Sequence, residues 1–185
     1  MTSEPGKFLE EPAFYYHEDD FLQVEIVPDN NLSKLSSENN EVDKFAKDHF
    51  AGAGFTDIYV RNDEDKIKLK QRRINTTALE NILVELEFDR ISQVFTGYSE
   101  YRQAHVNCTA FCKDESAILY DYEDDIVQHI WLINHWSIHK ERLSCCLNHF
   151  GDEWQLLLQD WNLTETINLQ SREAINKYLE PNDEA

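Results

Sequence analysis

"AILYDYEDDIVQHIWLI", residues 117–133, reads as two strands around an acidic turn. "AILYDY" and "IVQHIWLI" are rich in β-branched and aromatic residues, and Glu123-Asp124-Asp125 separates them. A similar text stands near the start, where "AFYYH" and "FLQVEIV" flank Glu18-Asp19-Asp20. There Leu22, Val24 and Ile26 alternate with Gln23 and Glu25, the period of a half-buried strand. A hairpin with an acidic tip is therefore expected at both places, although the first tip lacks the Asn-Gly or Asp-Gly of a strong turn signal. The two passages share only Glu-Asp-Asp, two apolar residues and Gln, and nothing beyond keeps step, so they are not an internal repeat.

After Pro28, "DNNLSKLSSENN" reads as a loop. Val42, Phe45, Ala46, His49 and Phe50 then recur at helical spacing, with Asn39 or Asn40 as cap and Gly52 and Gly54 as stop. "FTDIYVR" reads as a strand, and so does "DEDKIKLKQRR", which would set Lys66, Lys68 and Lys70 on one face as edge protection. Thr77 and Glu80 form a capping-box pattern ahead of Leu79, Ile82, Leu83 and Leu86. "ISQVFTGY" and "HVNCTAFC" suit strands. A third helix, starting near Ser137, aligns Leu143, Cys146, Leu147 and Phe150 and stops at Gly151. "EWQLLLQDW" is apolar enough for the middle of a sheet, and "ETINL" continues it. Ser171 caps a last helix with Ala174, Ile175, Tyr178 and Leu179 inward, closed by Pro181.

Recurrent hairpins, about eight strands and about four helices predict an α+β protein whose largely antiparallel sheet packs against the helices. At 185 residues, 41% apolar and 12% aromatic, one domain with a real core is expected over residues 12–180. An acidic lead-in (1–11) and a short tail (181–185) flank it.

The net charge is −19, and residues 1–43 hold 11 acids against 2 bases. Such a surface repels nucleic acid and anionic membranes, and attracts a basic protein. No apolar run approaches a membrane span, and "MTSEPGKFLEEP" lacks the features of a secretory signal. A cytoplasmic protein with Cys108, Cys112, Cys145 and Cys146 reduced is expected.

Few chemistries fit these residues. No phosphate loop, dinucleotide fingerprint or nucleophile elbow appears, and only 5 glycines are present to build a backbone cradle. His135 and His139 have zinc-ligand spacing, but Trp136 occupies the place of the general-base Glu, and the pair straddles a helix start. Cys108 and Cys112 on one strand lie about 13 Å apart, too far to share a metal. With 36 acids, paired carboxylates arise by chance, and the Glu-Asp-Asp clusters look hydrated, unlike catalytic acids in apolar surroundings. No catalytic residue, metal ligand or cofactor site is assigned. All four tryptophans lie between 131 and 161, where Trp131 and Trp154 suit the core and Trp136 a surface loop. An aromatic anchor within an acidic rim suits a protein partner. The candidate partner-binding residues are Glu18, Asp19, Asp20, Glu123, Asp124, Asp125 and Trp136.

The closing "EWQLLLQDWNLTETINLQSREAINKYL" and the opening "FYYHEDDFLQVEIVP" resemble small bacterial immunity proteins, the companions of polymorphic or contact-dependent growth-inhibition toxins. The resemblance implies a non-enzymatic inhibitor that binds a cognate toxin domain and blocks it. Many such toxins are nucleases with basic clefts, which an acidic partner suits. Two alternatives stand beside it: a hydrolase using clustered carboxylates with His17 or His135, and a regulatory interaction module without a toxin.

Overall fold

The computed structural model describes residues 12–97 and 99–180. Its elements in chain order are β1 (Ala13–Tyr16), β2 (Val24–Pro28), α1 (Leu32–His49), α2 (Thr76–Leu83), β3 (Asp89–Ile91), β4 (Gln93–Thr96), β5 (Gln103–Ala104), β6 (Cys108–Lys113), β7 (Ser116–Glu123), β8 (Ile126–Ile133), α3 (Lys140–Trp154), β9 (Leu156–Asp160), β10 (Glu165–Asn168) and α4 (Arg172–Tyr178). Seven strands form an antiparallel sheet in the order β10-β9-β2-β8-β7-β6-β3, while β1, β4 and β5 form a small mixed sheet. The protein is α+β, as the strand and helix patterning predicts.

The β7–β8 hairpin forms as read. Asp124 and Asp125 both take positive φ, 50° and 60°, the backbone that lets a two-residue turn follow the twist of its strands. Asp tolerates that conformation better than most residues do. The hairpin also holds a bulge. Tyr122 pairs with Val127, but Asp121 pairs with His129, so Gln128 is an extra residue on β8. Hence Val127, Ile130 and Leu132, with an uneven spacing, all reach the same core.

The large sheet is covered on both faces. On one, Ile118, Tyr120, Ile130 and Leu158 pack with Leu79 and Leu83 of α2, Leu147 and Phe150 of α3 and Ile175 of α4. On the other, Phe14, Tyr16 and Val94 of the small sheet cover Ala110, Leu119 and Trp131. Beside that sheet, Leu35 of α1 covers Leu157 and Trp161. Each fully buried Leu or Phe contributes about 1.5–3 kcal/mol from leaving water.

Several expectations are corrected. The first Glu-Asp-Asp passage is not a hairpin: β1 pairs in parallel with β4, whereas β2 lies between β8 and β9. Phe14 and Tyr16 bury in one core and Val24 and Ile26 in another, so the chain crosses between sheets. Glu18–Asp20 forms a single 3-10 turn, closed as His17 Nδ1 accepts from the Asp19 amide (3.2 Å) and Asp20 Oδ2 from the His17 amide (3.3 Å). The "DNNLSKLSSENN" loop is largely helix, because α1 starts at Leu32 and buries Leu35 and Glu38. Asn39 is thus mid-helix, accepting from Gln159 Nε2 at 2.8 Å. Asn40 caps nothing either, since it bonds back to the Ser36 carbonyl.

"FTDIYVR" forms no strand, and Ile58 and Val60 are each 83% exposed. The lysine stripe is absent too. Leu69–Arg72 is a 3-10 turn, and Lys66 folds inward to Glu38 (2.5 Å) and over the Trp161 ring. "ISQVFTGY" breaks at Ser92 into β3 and β4, which belong to different sheets. Asn75, not Thr77, caps α2, and Glu80 turns instead to Arg90 and Tyr120. The third helix begins at Lys140 and runs past Gly151 to Trp154. Gly151 allows contact there, since a Cβ would lie 2.1 Å from the Leu169 carbonyl carbon. β9 is wholly buried between β2 and β10, as its apolar text requires. The 1–11 and 181–185 segments, with the Pro181 stop, lie outside the described residues. No helix among the described residues is long and apolar enough to cross a membrane.

Candidate protein-binding cleft

At the end of β8, Asn134 adopts a left-handed conformation (φ 47°, ψ 40°) and starts the 3-10 turn His135–Ser137. The reversal drives adjacent side chains apart: His135 is 3% exposed and Trp136 50%. Beneath the turn, His135 Nε2 lies 2.7 Å from the Tyr178 hydroxyl, which is also 2.7 Å from Asp160 Oδ2. A phenol has a single hydrogen, and a carboxylate can only accept. Tyr178 therefore donates to Asp160 and accepts from His135, which fixes the His135 proton on Nε2. Burial pushes the His135 pKa down to about 4, so the ring is neutral near pH 7. Burial, with the Asp160 charge adding to it, holds the Tyr178 hydroxyl far above its ordinary value. Asp160 Oδ1 accepts the amides of Asn162 (2.9 Å) and Leu163 (3.1 Å).

This network fixes the surface above it. Trp136 lies 4.3 Å from the His135 ring and 5.0 Å from the Tyr178 ring, centroid to centroid. Half the indole still faces solvent. Beside it opens a cleft of about 220 Å³ whose lining includes Asp20, Trp136 and the part-exposed Leu163, with the buried Val24 and Leu132 at its base. The Gln23 carbonyl accepts the Trp161 amide at 2.9 Å, which ties β2's approach to β9.

The candidate residues divide into two groups. β2 runs antiparallel to β8 with Glu25 opposite Trp131, so Glu18–Asp20 lies at the end of β8 that carries Trp136. Glu123–Asp125 lies at the other end. The length of β8 puts roughly 25 Å between the two acidic groups, too far to share a metal ion. Among the described residues, no three His, Cys, Asp or Glu side chains are placed to hold a metal. His135 and His139 diverge, as His139 is exposed and pairs with Glu141 at 3.2 Å. Cys108, Cys112 and Cys146 are buried free thiols and Cys145 an exposed one. Asp125 is drawn to α2, where its carbonyl accepts the Thr76 amide at 3.0 Å.

A second polar cluster, not found from the sequence, lies on the face shared with the small sheet. His129 Nδ1 meets both oxygens of Asp121 (2.9 and 3.0 Å), and His105 Nε2 approaches Oδ2 at 3.5 Å. His105 Nδ1 in turn meets the Tyr16 hydroxyl at 2.8 Å. Burial opposes ionisation of Asp121, but the bonds to His105 and His129 prevail and hold its pKa down to about 2. The Asp121 bond outweighs burial at His129 and raises that pKa. Without the Gln128 bulge, Asp121 would face Gln128 instead of His129.

No family model matches this chain, and no curated protein or solved structure matches it.

In the sequence Asp20 and Trp136 stand out separately, with nothing that joins them to their neighbours in the cleft. Leu163, Asp160 and Tyr178 join them only through pairing of β2 with β8 and β9 and docking of α4. One signal lies in the sequence, because a carboxylate closing the strand "LLLQD" needs a partner once the strand is buried.

Proposed function

We propose that this protein is a non-enzymatic inhibitor of the immunity type, which captures a basic bacterial toxin domain of the nuclease class at the Trp136 cleft. The observation that carries the reading is the presentation of Trp136. A half-exposed indole is held on a buried, internally satisfied His135–Tyr178–Asp160 network and lines a cleft together with the exposed carboxylate of Asp20. An anchor that is already ordered loses little conformational entropy on binding. The −19 charge supports the choice of partner, since it accelerates encounter with a cationic surface and disfavours nucleic acid. The bonding pattern also supports a binding role over acid–base catalysis, because Asp160 and Tyr178 use their hydrogen-bonding capacity on one another and on nearby backbone and His135.

The test is co-expression with the toxin encoded beside this gene. Relief of growth arrest and a co-purifying complex are expected, with association slowing as salt rises. Continued arrest with no complex would reject the reading.

A further inference from the structure

We propose that the cleft beside Trp136 is a receptor for one arginine side chain of the partner, an inference that rests on the inhibitor reading. The cleft has a part for each section of that side chain. Leu163, which is 40% exposed, is the apolar lining residue open to the methylene stem. Trp136, half exposed and in the cleft lining, supplies indole surface for a planar cation. Asp20 is exposed, and only its Oδ2 is engaged among the described residues, with the His17 amide at 3.3 Å. Its Oδ1 is left for a charge-assisted bond.

Other ligand classes fit less well. An anion would meet the Asp20 carboxylate in the lining. A divalent cation would find one accessible carboxylate, because both oxygens of Asp160 already accept from protein donors. Lysine offers the charge but lacks the flat guanidinium that can stack on indole while bonding a carboxylate. The position of the cleft also suits a protruding side chain. It lies between the end of β8, the start of β2 and the Asn162–Leu163 turn after β9, so it is reached from outside the sheet end.

The experiment is an NMR titration of the full-length, ¹⁵N-labelled protein with N-acetyl-L-arginine amide. The Trp136 indole signal is assigned with Trp136→Phe. Saturable shifts are expected at that indole and at the Asn134 and Leu163 amides. Binding should weaken about tenfold with the uncharged citrulline analogue, and by a similar factor in Asp20→Asn, which retains an acceptor for the His17 amide. The lysine analogue should bind more weakly than arginine. Asp125→Asn, at the far end of β8, should leave the titration unchanged. Equal binding of citrulline or lysine, an unaffected Asp20→Asn, or shifts that avoid the cleft would each overturn the proposal. The two proposals can fail separately. A toxin complex whose affinity falls in Trp136→Ala but ignores Asp20→Asn rejects the arginine receptor and retains the inhibitor. Arginine binding with no rescue and no complex rejects the inhibitor.

Discussion

His135 provides a sharp test of the buried network under the cleft. Burial lowers its pKa from 6.5 to about 4 in the folded protein, so between these values the unfolded chain binds a proton that the native state does not. Stability therefore rises with pH across that interval; the contribution is complete above the unfolded pKa and lost as pH falls towards the folded one. Each pKa unit corresponds to about 1.4 kcal/mol, so acidifying from about pH 7 to about pH 4.5 should remove about 2–3 kcal/mol through His135 alone. The perturbation is His135→Phe, which preserves the ring stack on Tyr178 and leaves the Tyr178 hydroxyl donating to Asp160. Urea unfolding of both proteins at the two pH values is the assay. His129 works in the opposite sense: its raised pKa stabilises below the ordinary His value, and the effect is lost as pH rises through the folded pKa. Asp121, held at about 2, loses its contribution only below the ordinary carboxylate range. Both groups are common to the two proteins, so the difference in their pH dependence isolates His135. The variant should lose about 2–3 kcal/mol less than wild type on acidification. Parallel losses would refute the buried, neutral His135.

Gly151→Ala should lower stability by about 1–3 kcal/mol, because the new methyl meets the Leu169 backbone; an unchanged melting temperature would contradict that contact. Asp121→Asn should return the His129 pKa towards its ordinary value in an NMR titration, and an unmoved midpoint would remove Asp121 as the cause. Trp136→Ala should cost the fold about 1–2 kcal/mol in lost ring packing, yet weaken the toxin complex by about 2 kcal/mol or more, as a central anchor does. Calorimetry that finds affinity intact would displace Trp136 from the interface. Replacing Asp124-Asp125 with Asn-Gly should raise stability by a few tenths of a kcal/mol or more by easing the left-handed turn, and a lower urea midpoint would argue against it.

What the sequence alone determines is what neighbouring residues settle among themselves. Residues 117–133 specify a hairpin because two β-rich runs meet at a turn short enough to pair them. The apolar "LLL" of β9 requires burial, and Ser171 with Ala174, Ile175 and Tyr178 specifies α4. Even in the hairpin, the Gln128 bulge, and with it the Asp121–His129 pair, depends on which core Val127 and Ile130 enter. Tertiary structure decides everything that depends on a distant partner. The two Glu-Asp-Asp passages have similar text and different structures, because alternation marks a half-buried strand without saying which strand it pairs with. Ile58 and Val60 have strand propensity but no partner, and remain exposed. Asn39 and Asn40 look like caps, yet Leu35 meeting Leu157 and Trp161 extends α1 past them. The cleft follows the same rule. Asp20, Trp136 and Leu163 lie far apart in the chain, and only the antiparallel placement of β2 between β8 and β9 brings them to one end of the sheet.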